Sequence, residues 1–326
     1  MAQYQQSLDA KATIAVAGAT GDLGTRLIHG FLDVDLRGGS AGLIALVRKE
    51  SDKTQEWEKQ GVEVRTIDGS SSQQDLVGAL DGVDVLVNAL PTSGAALRDN
   101  IARALPKTAL KVYFPSEFGV DHRLHDFNIP EWDGKRAHYD LVQKTLRENN
   151  NFGIIVCRLF VGLFLHSGIS AAYGFDTAKS VYEAVGSLDQ IMNYTDTSDV
   201  AKVVVDLSTR VVRGMKIPQD LRIAGTHASF RDIASIMGKA GAENVELRSV
   251  DLQEFRERAL ARKYEDRDAV ECLRFIMGDG RDDYRDVKEG GLGNDNVMVN
   301  GDERVFKWKT LEDLAVESQG RPNADP

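Results

Sequence analysis

Short apolar runs alternate with amphipathic segments through the first half of the chain. The apolar runs predict six strands, at residues 13–17, 43–47, 62–67, 83–89, 111–114 and 153–159. The intervening segments repeat apolar residues at helical spacing and predict helices at 22–34, 52–60, 73–80, 94–105 and 136–148. Strands that alternate with helices pair in parallel, and the crossover helices cover both faces of one sheet. We therefore expect an α/β fold with a doubly wound parallel sheet.

The alternation becomes less regular after about residue 160. Helices are predicted at 199–212, from Ser229 and at 251–263, with one strand at 221–224 and a glycine-rich loop at 289–295. We expect a first domain over residues 1–160 and a smaller α+β part over residues 161–326. The helix at 199–212 is expected to pack back on the first domain.

Composition and charge narrow the class of protein. The chain has 326 residues, 42% of them hydrophobic, and a formal net charge of −10. Nucleic acids and anionic membranes attract basic faces, so this balance argues against either as a direct partner. The two cysteines, Cys157 and Cys272, have no metal-ligand or redox spacing. The polar start of the chain contains no apolar signal segment, which predicts a cytoplasmic protein.

A glycine-rich turn follows the first predicted strand and opens the first predicted helix. Its sequence is Gly18–Ala19–Thr20–Gly21–Asp22–Leu23–Gly24. Glycines allow a tight turn and close approach of the backbone to a pyrophosphate, which the free N–H groups of the helix start then bind. The placement between strand and helix predicts a Rossmann dinucleotide-binding fold. We expect the cofactor to contact Gly18, Thr20, Gly21, Asp22, Leu23 and Gly24.

The end of the second strand predicts which dinucleotide is bound. This strand ends at Val47 and is followed by Arg48 and Lys49. NAD-binding proteins usually place Asp or Glu here, whereas Arg suits the 2′-phosphate of NADP. We therefore expect NADPH (NADP+), with Arg48 as the main contact and Lys49 or Lys53 assisting. Glu50 weakens this interpretation, and a solvated pair of charges at a strand end is the alternative.

Several motifs together resemble the NmrA-like proteins. These motifs are GATGDLG, the LVR after the second strand, FPSEFG after the fifth, VDHRLHDFNIPEWDGKRAHYDLVQKTLRENN and LFVGLF. The resemblance is strongest to the branch that contains isoflavone reductase, phenylcoumaran benzylic ether reductase, pinoresinol–lariciresinol reductase and eugenol synthase. These are atypical relatives of the short-chain dehydrogenases/reductases. The resemblance implies an NADP-binding Rossmann domain over 1–160 and a substrate-binding part over 161–326.

The resemblance also implies a catalytic residue. Lys135 occupies the position of the family's lysine, a general acid/base near the nicotinamide, and is also expected to contact the cofactor. Whether it acts as acid or base stays open. Helical spacing places Lys135 on one stripe with His138, Val142 and Thr145, so partial burial would lower its pKa. An exposed lysine near a helix start is the alternative. Glu131 and Asp133 precede it and would oppose a lowered pKa.

The ordinary Tyr-x-x-x-Lys signature of short-chain dehydrogenases is absent where it would be expected, because Tyr139 is followed four residues on by Gln143. The match at Tyr284 and Lys288 lies far beyond the sixth predicted strand, and we interpret it as coincidence. Two histidines, His122 and His125, have a spacing found in metal sites, but a third ligand at suitable spacing is missing, so we expect no metal.

The remaining candidates would line the nicotinamide and the substrate. The family's loop implies that Pro115, Ser116 and Phe118 lie on the nicotinamide side. Residues that end the fourth strand lie where the crevice of such sheets opens, namely Asn88, Ala89 and Leu90. The substrate-pocket candidates are His138, Phe160, Phe164 and Tyr173. Core packing is an equally good explanation for the last three.

Two functions from different classes agree with these observations. The first is an NADPH-dependent reductase that transfers a hydride to a conjugated aromatic or phenylpropanoid-like small molecule, with Lys135 moving the proton. The second is a non-catalytic, dinucleotide-sensing regulator like NmrA itself, which keeps the glycine turn and does not use the lysine. The position of Lys135 and the FPSEFG motif favour the reductase. Either a monomer or a homodimer is expected.

Overall fold

The computed structural model describes residues 11–33 and 40–324, and the chain divides into two compact units. The first unit comprises Met1–Glu117, Gly134–Leu159 and Val200–Leu221. The second comprises Phe118–Asp133, Phe160–Asp199 and Arg222–Pro326. The two units are therefore discontinuous in sequence, unlike the single boundary at residue 160 that the sequence suggested. The last residue of the helix predicted at 22–34 lies outside the described residues.

A parallel sheet forms the centre of the first unit. Within the described residues its six strands lie in the order β3-β2-β1-β4-β5-β6, and each neighbouring pair is parallel. The strands are β1 Ala12–Ala17, β2 Ser40–Val47, β3 Val62–Thr66, β4 Val85–Asn88, β5 Val112–Phe114 and β6 Ile155–Val156. The order reverses beside β1, where sheets of this kind open a crevice at the carboxyl ends of their strands. The predicted doubly wound Rossmann fold is confirmed.

Helices connect these strands along the chain. Their bounds are Asp22–Leu32, Asp52–Lys59, Gln73–Ala79, Ala95–Ala104 and Pro130–Glu148. A later helix, Thr197–Val212, belongs to the first unit from Val200 onwards. Ser51 and Ser72 each begin a helix with a capping box, in which side chain and backbone satisfy each other's hydrogen bonds. Residues on both faces of β1 and β4 are buried, which agrees with their continuous apolar sequences.

The helix predicted at 136–148 begins earlier, at Pro130. Proline fits the first turn of a helix because its missing N–H would have no partner there, and Glu131 and Asp133 favour the positive end of the helix dipole. Lys135 therefore lies in the second turn rather than before the helix. The strand predicted at 153–159 is divided, because β6 ends at Val156 and a separate strand, β7, covers Arg158–Phe160.

The second unit is an α+β assembly, as predicted, and its sheets are smaller than the sheet of the first unit. Its described residues form two three-stranded sheets, with the orders β14-β10-β9 and β13-β11-β8. The strands are β8 Leu163–Phe164, β9 Phe175–Asp176, β10 Val181–Val185, β11 Met192–Thr195, β13 Thr226–Ala228 and β14 Glu246–Val250; β12, Asp220–Arg222, ends where this unit resumes. Its helices are Leu165–Gly168, Phe230–Lys239, Leu252–Leu260, Ala269–Asp279, Asn296–Asn300 and Leu311–Glu317.

Aromatic side chains pack against one another in the core of the second unit. Phe175 stacks on Phe230 with ring centroids 4.2 Å apart, and Tyr182 packs edge-on against Phe175.

Both cysteines of the chain are buried. None of the helices in the described ranges has the length and apolar composition needed to span a membrane.

Candidate active site

The glycine turn has a backbone shape that requires glycine. Gly18 has a φ of +79°, and a Cβ there would lie 2.9 Å from the carbonyl oxygen of Ala89. A Cβ on Gly24 would overlap the carbonyl oxygen of Gly18. The Gly21 amide donates to the Gly18 carbonyl (3.0 Å), and the helix starts at Asp22. The turn thus brings bare backbone and a helix N-terminus to the carboxyl end of β1, which suits a phosphate group.

A cleft of about 310 Å³ opens beside this turn. Residues that follow the carboxyl ends of β1, β2, β3 and β4 form its walls, together with the start of the helix at Ala95–Ala104. The lining comprises Gly18, Thr20, Gly21, Leu46, Val47, Arg48, Ile67, Gly69, Leu90, Pro91, Ser93, Gly94, Ala96 and Leu97. The structure therefore brings Arg48 and Leu90, predicted from different strands, to the same cleft as the turn.

The sequence did not predict several residues of this cleft, among them two groups in the loops after β3 and β4. Ile67 and Gly69 follow β3, and Pro91, Ser93 and Gly94 follow β4. Their signal was available, because the carboxyl ends of neighbouring parallel strands meet at one edge of the sheet. Neither group carries a charge or a motif, so the sequence alone did not distinguish them from ordinary loop residues.

Basic side chains lie on the other side of the turn. Arg26, His29 and Lys53 line a shallow depression with Thr20, Gly21, Asp22 and Thr25. The Lys53 ammonium donates to the Thr25 hydroxyl at 3.4 Å, and the Arg26 guanidinium donates to the Asp22 carboxylate at 3.2 Å. Lys49 is exposed and is not among the residues described as lining either depression. Of the two assisting lysines considered from the sequence, Lys53 is the one beside the turn.

Lys135 lies near the carboxyl end of β5. Its ammonium is 3.5 Å from the carbonyl oxygen of Glu117, to which it donates. Lys135 lines a small cavity with Arg98, Pro115, Ser116, Glu117 and His138. The Ser116 hydroxyl donates to the Leu90 carbonyl at 3.2 Å, which links this loop to the wall of the cleft. The predicted catalytic lysine and the predicted nicotinamide loop are thus neighbours within the first unit.

A buried hydrogen-bond chain lies behind this cavity. The Asn88 amide nitrogen donates to the Tyr113 hydroxyl at 2.8 Å, and the Tyr113 oxygen lies 2.7 Å from Nε2 of His138. The Asn88 side-chain oxygen accepts from the Leu90 amide at 3.0 Å. His138 is therefore packed against β5 rather than open to solvent, and Asn88 is engaged by protein groups. Tyr113 was not predicted as a site residue, because a tyrosine within an apolar strand is typical of ordinary core packing.

Burial sets the ionisation of this chain. Loss of hydration, together with the nearby Arg98 charge, lowers the pKa of His138 to about 4. Burial likewise raises the pKa of Tyr113 far above its ordinary value. Both side chains are consequently neutral at physiological pH.

Acidification is expected to lower the free energy of unfolding through His138. The pKa of this imidazole is about 4 in the fold against an ordinary 6.5. Between these values the unfolded chain binds a proton that the folded protein does not, so stability is full above pH 6.5 and decreases towards pH 4. From pH 7 to 4, wild type should lose about 2–3 kcal/mol more than a His138→Leu variant, measured by urea unfolding at each pH.

Comparison with the His138→Leu variant removes the effect of Asp282 on the free energy of unfolding, which has the opposite pH dependence to that of His138. Burial raises the pKa of Asp282 in the second unit to about 6, so this carboxyl favours folding increasingly as the pH falls. Asp282 is present in both proteins, and its effect cancels in their difference. Parallel pH profiles for wild type and variant would contradict the buried, neutral state of His138.

The aromatic candidates lie in the second unit. Phe160 is fully buried, packs with Ala224 and Tyr284, and has the Arg123 guanidinium 4.5 Å from its ring centre. Phe164 is partly buried on β8, and Tyr173 packs against the aromatic core. Phe118 is buried at the first position of this unit. Their roles towards a substrate or cofactor stay predictions.

The other sequence matches also lie in the second unit. The buried Tyr284 hydroxyl accepts from the Asp121 amide at 3.0 Å, and Lys288 is exposed. His125 is buried, with Nδ1 3.6 Å from the Asp279 carboxylate. Within residues 11–33 and 40–324, no group of three or more His, Cys, Asp or Glu residues is placed to hold a metal ion.

Solved structures with the same fold include several reductases. A leucoanthocyanidin reductase from Vitis vinifera in binary complex with NADPH matches with a TM-score of 0.71 at 15% identity, over 94% of this chain and 99% of that one. An isoflavone reductase matches with a TM-score of 0.68 at 16% identity, over 94% and 99% of the two chains. An NADPH-dependent quinone oxidoreductase from Escherichia coli has a TM-score of 0.60 at 18% identity, over 93% and 98%.

Sequence comparison identifies the family. No curated protein sequence matches the chain significantly. The model of the NmrA-like family, by contrast, matches residues 10–273, which is well over half of the chain. This match confirms the resemblance that the motifs predicted, and the solved structures agree with it in fold. The chain belongs to the NmrA-like family.

Proposed function

We propose that the protein is an NADPH-dependent reductase that transfers a hydride to a conjugated, aromatic small molecule. The observation that carries this proposal is the position of Arg48, which lines the same cleft as the glycine turn. A bare phosphate-binding turn and a guanidinium in one cleft suit a dinucleotide with an additional phosphate. The leucoanthocyanidin reductase and the quinone oxidoreductase with this fold are an NADPH complex and an NADPH-dependent enzyme.

The first unit offers groups for each part of the cofactor. Gly18 and Gly24 let the turn pack tightly, since a Cβ at either position would meet backbone atoms, and the turn leads directly into the helix that starts at Asp22. A tight glycine turn at a helix N-terminus fits a pyrophosphate. Arg48, assisted by Lys53, is proposed to bind the 2′-phosphate. The apolar wall formed by Ile67 and Leu97 suits the adenine ring. Asp22, Leu23, Gly24, Lys49 and Ala89 remain candidates for backbone or peripheral contacts.

Reduction needs a proton as well as a hydride. The bound reduced nicotinamide would supply the hydride. Lys135 is proposed to hold or move the proton, because its ammonium lies beside Pro115 and Ser116 at the carboxyl end of β5. The Glu117 carbonyl accepts from this ammonium and orients it towards the loop. Ser116 fixes the loop by donating to the Leu90 carbonyl.

The substrate class rests on the proteins of similar fold. Leucoanthocyanidins, isoflavones and quinones are named for three of them, and all contain unsaturated or aromatic rings. A hydride acceptor of this kind is a planar, conjugated molecule whose developing negative charge needs a proton donor. We propose such a molecule as the substrate. The substrate-binding role of residues 161–326, and the choice between monomer and homodimer, stay predictions.

The second candidate is a dinucleotide-sensing regulator without turnover. The family name favours it, since the chain belongs with NmrA-like proteins. The placement of Lys135 beside Ser116 favours the enzyme, because a sensor has no use for a proton donor at that point. The test is NADPH oxidation measured with a panel of quinones, enones and phenylpropanoid derivatives. Cofactor-dependent reduction of any of them supports the reductase, and tight NADPH binding without turnover of the whole panel would favour the sensor.

A further inference from the structure

We infer that Asn88, Tyr113 and His138 form a positioning device that fixes the Leu90 peptide of the cofactor cleft against the helix carrying Lys135. The inference rests on the proposed function for its catalytic meaning, but its geometry stands on the first unit alone. The three side chains come from the end of β4, from β5 and from the helix at Pro130–Glu148. Their exposed fractions are 0%, 0% and 4%.

The hydrogen bonds that link Leu90, Asn88, Tyr113 and His138 all have the same donor-to-acceptor direction. The Asn88 oxygen accepts from the Leu90 amide, so the Asn88 nitrogen must face Tyr113 and donate to it. The Tyr113 oxygen then accepts from Asn88, and Nε2 of His138, 2.7 Å away, is the acceptor that this arrangement leaves for the hydroxyl hydrogen. Nε2 can accept only if it carries no proton. The geometry therefore assigns to His138 the neutral tautomer with its proton on Nδ1.

A carboxylate lies near the nitrogen that would carry this proton. Nδ1 of His138 is buried, and an oxygen of the Asp99 carboxylate lies 3.9 Å away, beyond hydrogen-bond distance, so the carboxylate favours a proton on Nδ1 through its charge alone. Burial and the Arg98 charge both lower the pKa of His138, and together they outweigh the Asp99 and Glu117 carboxylates, which raise it, so the imidazole stays neutral. A protonated ring would carry hydrogen on both nitrogens and would break the bond from Tyr113. The buried environment thus preserves the direction of the chain.

The hydrogen-bond chain holds the Leu90 peptide, which forms part of the wall of the cofactor cleft. Leu90 lines the cleft, and both of its peptide groups are fixed, the amide by Asn88 and the carbonyl by Ser116. A Cβ on Gly18 would lie 3.1 Å from the Leu90 nitrogen, so this peptide also packs against the glycine turn. His138 lies one helical turn after Lys135, and both line one small cavity. The two ends of the proposed site are therefore connected through Tyr113.

The first experiment reads the tautomer directly. In the full chain labelled with ¹⁵N, the ring nitrogens of His138 are assigned by comparison with a His138→Gln variant. At neutral pH, we expect the chemical shifts of a neutral imidazole protonated on Nδ1. A ring protonated on Nε2, or on both nitrogens, would overturn the inference. This result does not depend on any cofactor.

The second experiment removes one hydroxyl group. Tyr113→Phe is expected to accelerate hydrogen exchange of the Leu90 amide and to weaken NADPH binding, each by about tenfold, since Asn88 and His138 lose their shared partner. Tyr194→Phe is the matched control, because its buried hydroxyl has no partner among the described residues. We expect exchange of the Leu90 amide and NADPH affinity to stay within about twofold of wild type in the control.

The outcomes separate the two proposals. Faster exchange at Leu90 in Tyr113→Phe alone supports the positioning device, whereas equal behaviour of the two variants would overturn it. If Tyr113→Phe weakens NADPH binding but leaves the turnover of bound complexes unchanged, the hydrogen-bond chain positions the cofactor only. If the turnover of bound complexes falls as well, the hydrogen-bond chain also positions Lys135. If wild type itself failed to bind NADPH, the proposed function would be wrong, and the tautomer and exchange results would still decide this inference.

Discussion

Replacing Lys135 by alanine is expected to reduce turnover by about 10²–10⁴-fold while NADPH affinity changes by less than about threefold. The Lys135 ammonium lies 3.5 Å from the Glu117 carbonyl oxygen and lines the small cavity with Ser116, and Lys135 does not line the larger cleft. A proton donor acts mainly in the transition state, so its removal lowers kcat and kcat/KM together. Steady-state NADPH oxidation and calorimetric titration of each variant measure the two quantities.

Two further variants sharpen this result. Lys135→Arg keeps the charge but cannot release its proton near neutral pH, so it should be nearly as inactive as the alanine variant if proton transfer is required. Lys144→Ala is the matched control, since Lys144 lies on the same helix and its side chain is 66% exposed. Full activity in Lys135→Ala, or equal losses in Lys135→Ala and Lys144→Ala, would remove Lys135 from the mechanism.

Replacing Gly24 by alanine is expected to weaken dinucleotide binding by about 100-fold or more and to destabilise the first unit by about 2–4 kcal/mol. The added Cβ would overlap the Gly18 carbonyl and approach the Ala19 Cα to 2.8 Å. Both are backbone atoms, which move only if the turn or the first helix moves. Because the same turn forms the proposed pyrophosphate cradle, stability and binding should fall together. Urea unfolding and NADPH titration measure the two effects.

A second glycine shows what the same substitution does without a steric conflict. Gly78 is exposed in the helix at Gln73–Ala79, and a Cβ there meets no described atom within 4 Å. Alanine at this position should stabilise the protein by about 0.5–1 kcal/mol, because it restricts the unfolded chain and favours the helix. Cofactor binding should not change. If Gly24→Ala behaved like Gly78→Ala, the close approach at the turn would not be required.

Local patterns were sufficient to predict the first unit. Continuous apolar runs give β1, β2 and β4, in which residues 14–17, 43–47 and 85–88 are buried on both faces of the sheet, and strand–helix alternation then determines a parallel sheet. Arg48 was predicted because the strand before it was clear and its chemistry is specific. Lys135 was identified only through the family resemblance, since a lysine near a helix start carries no signal of its own.

Features that depend on distant contacts were not predictable from one sequence. The strands β8 and β9 have two residues each, too few for any periodicity, and they exist because β11 and β10 pair with them. The chain through Asn88, Tyr113 and His138 joins residues 25 positions apart at each step. The helix that starts at Pro130 was predicted only from residue 136, and the low helix propensity of proline and glycine weakens the helical signal over its first turns.

The most direct test of the central claim is calorimetric titration of the purified protein with NADPH and with NADH, repeated with Arg48→Ala. Wild type should prefer NADPH, and the variant should lose about 10–100-fold in NADPH affinity, the contribution of charged hydrogen bonds to the 2′-phosphate, while NADH affinity changes little. Binding of neither dinucleotide, or equal binding of both without an effect of Arg48, would contradict the account.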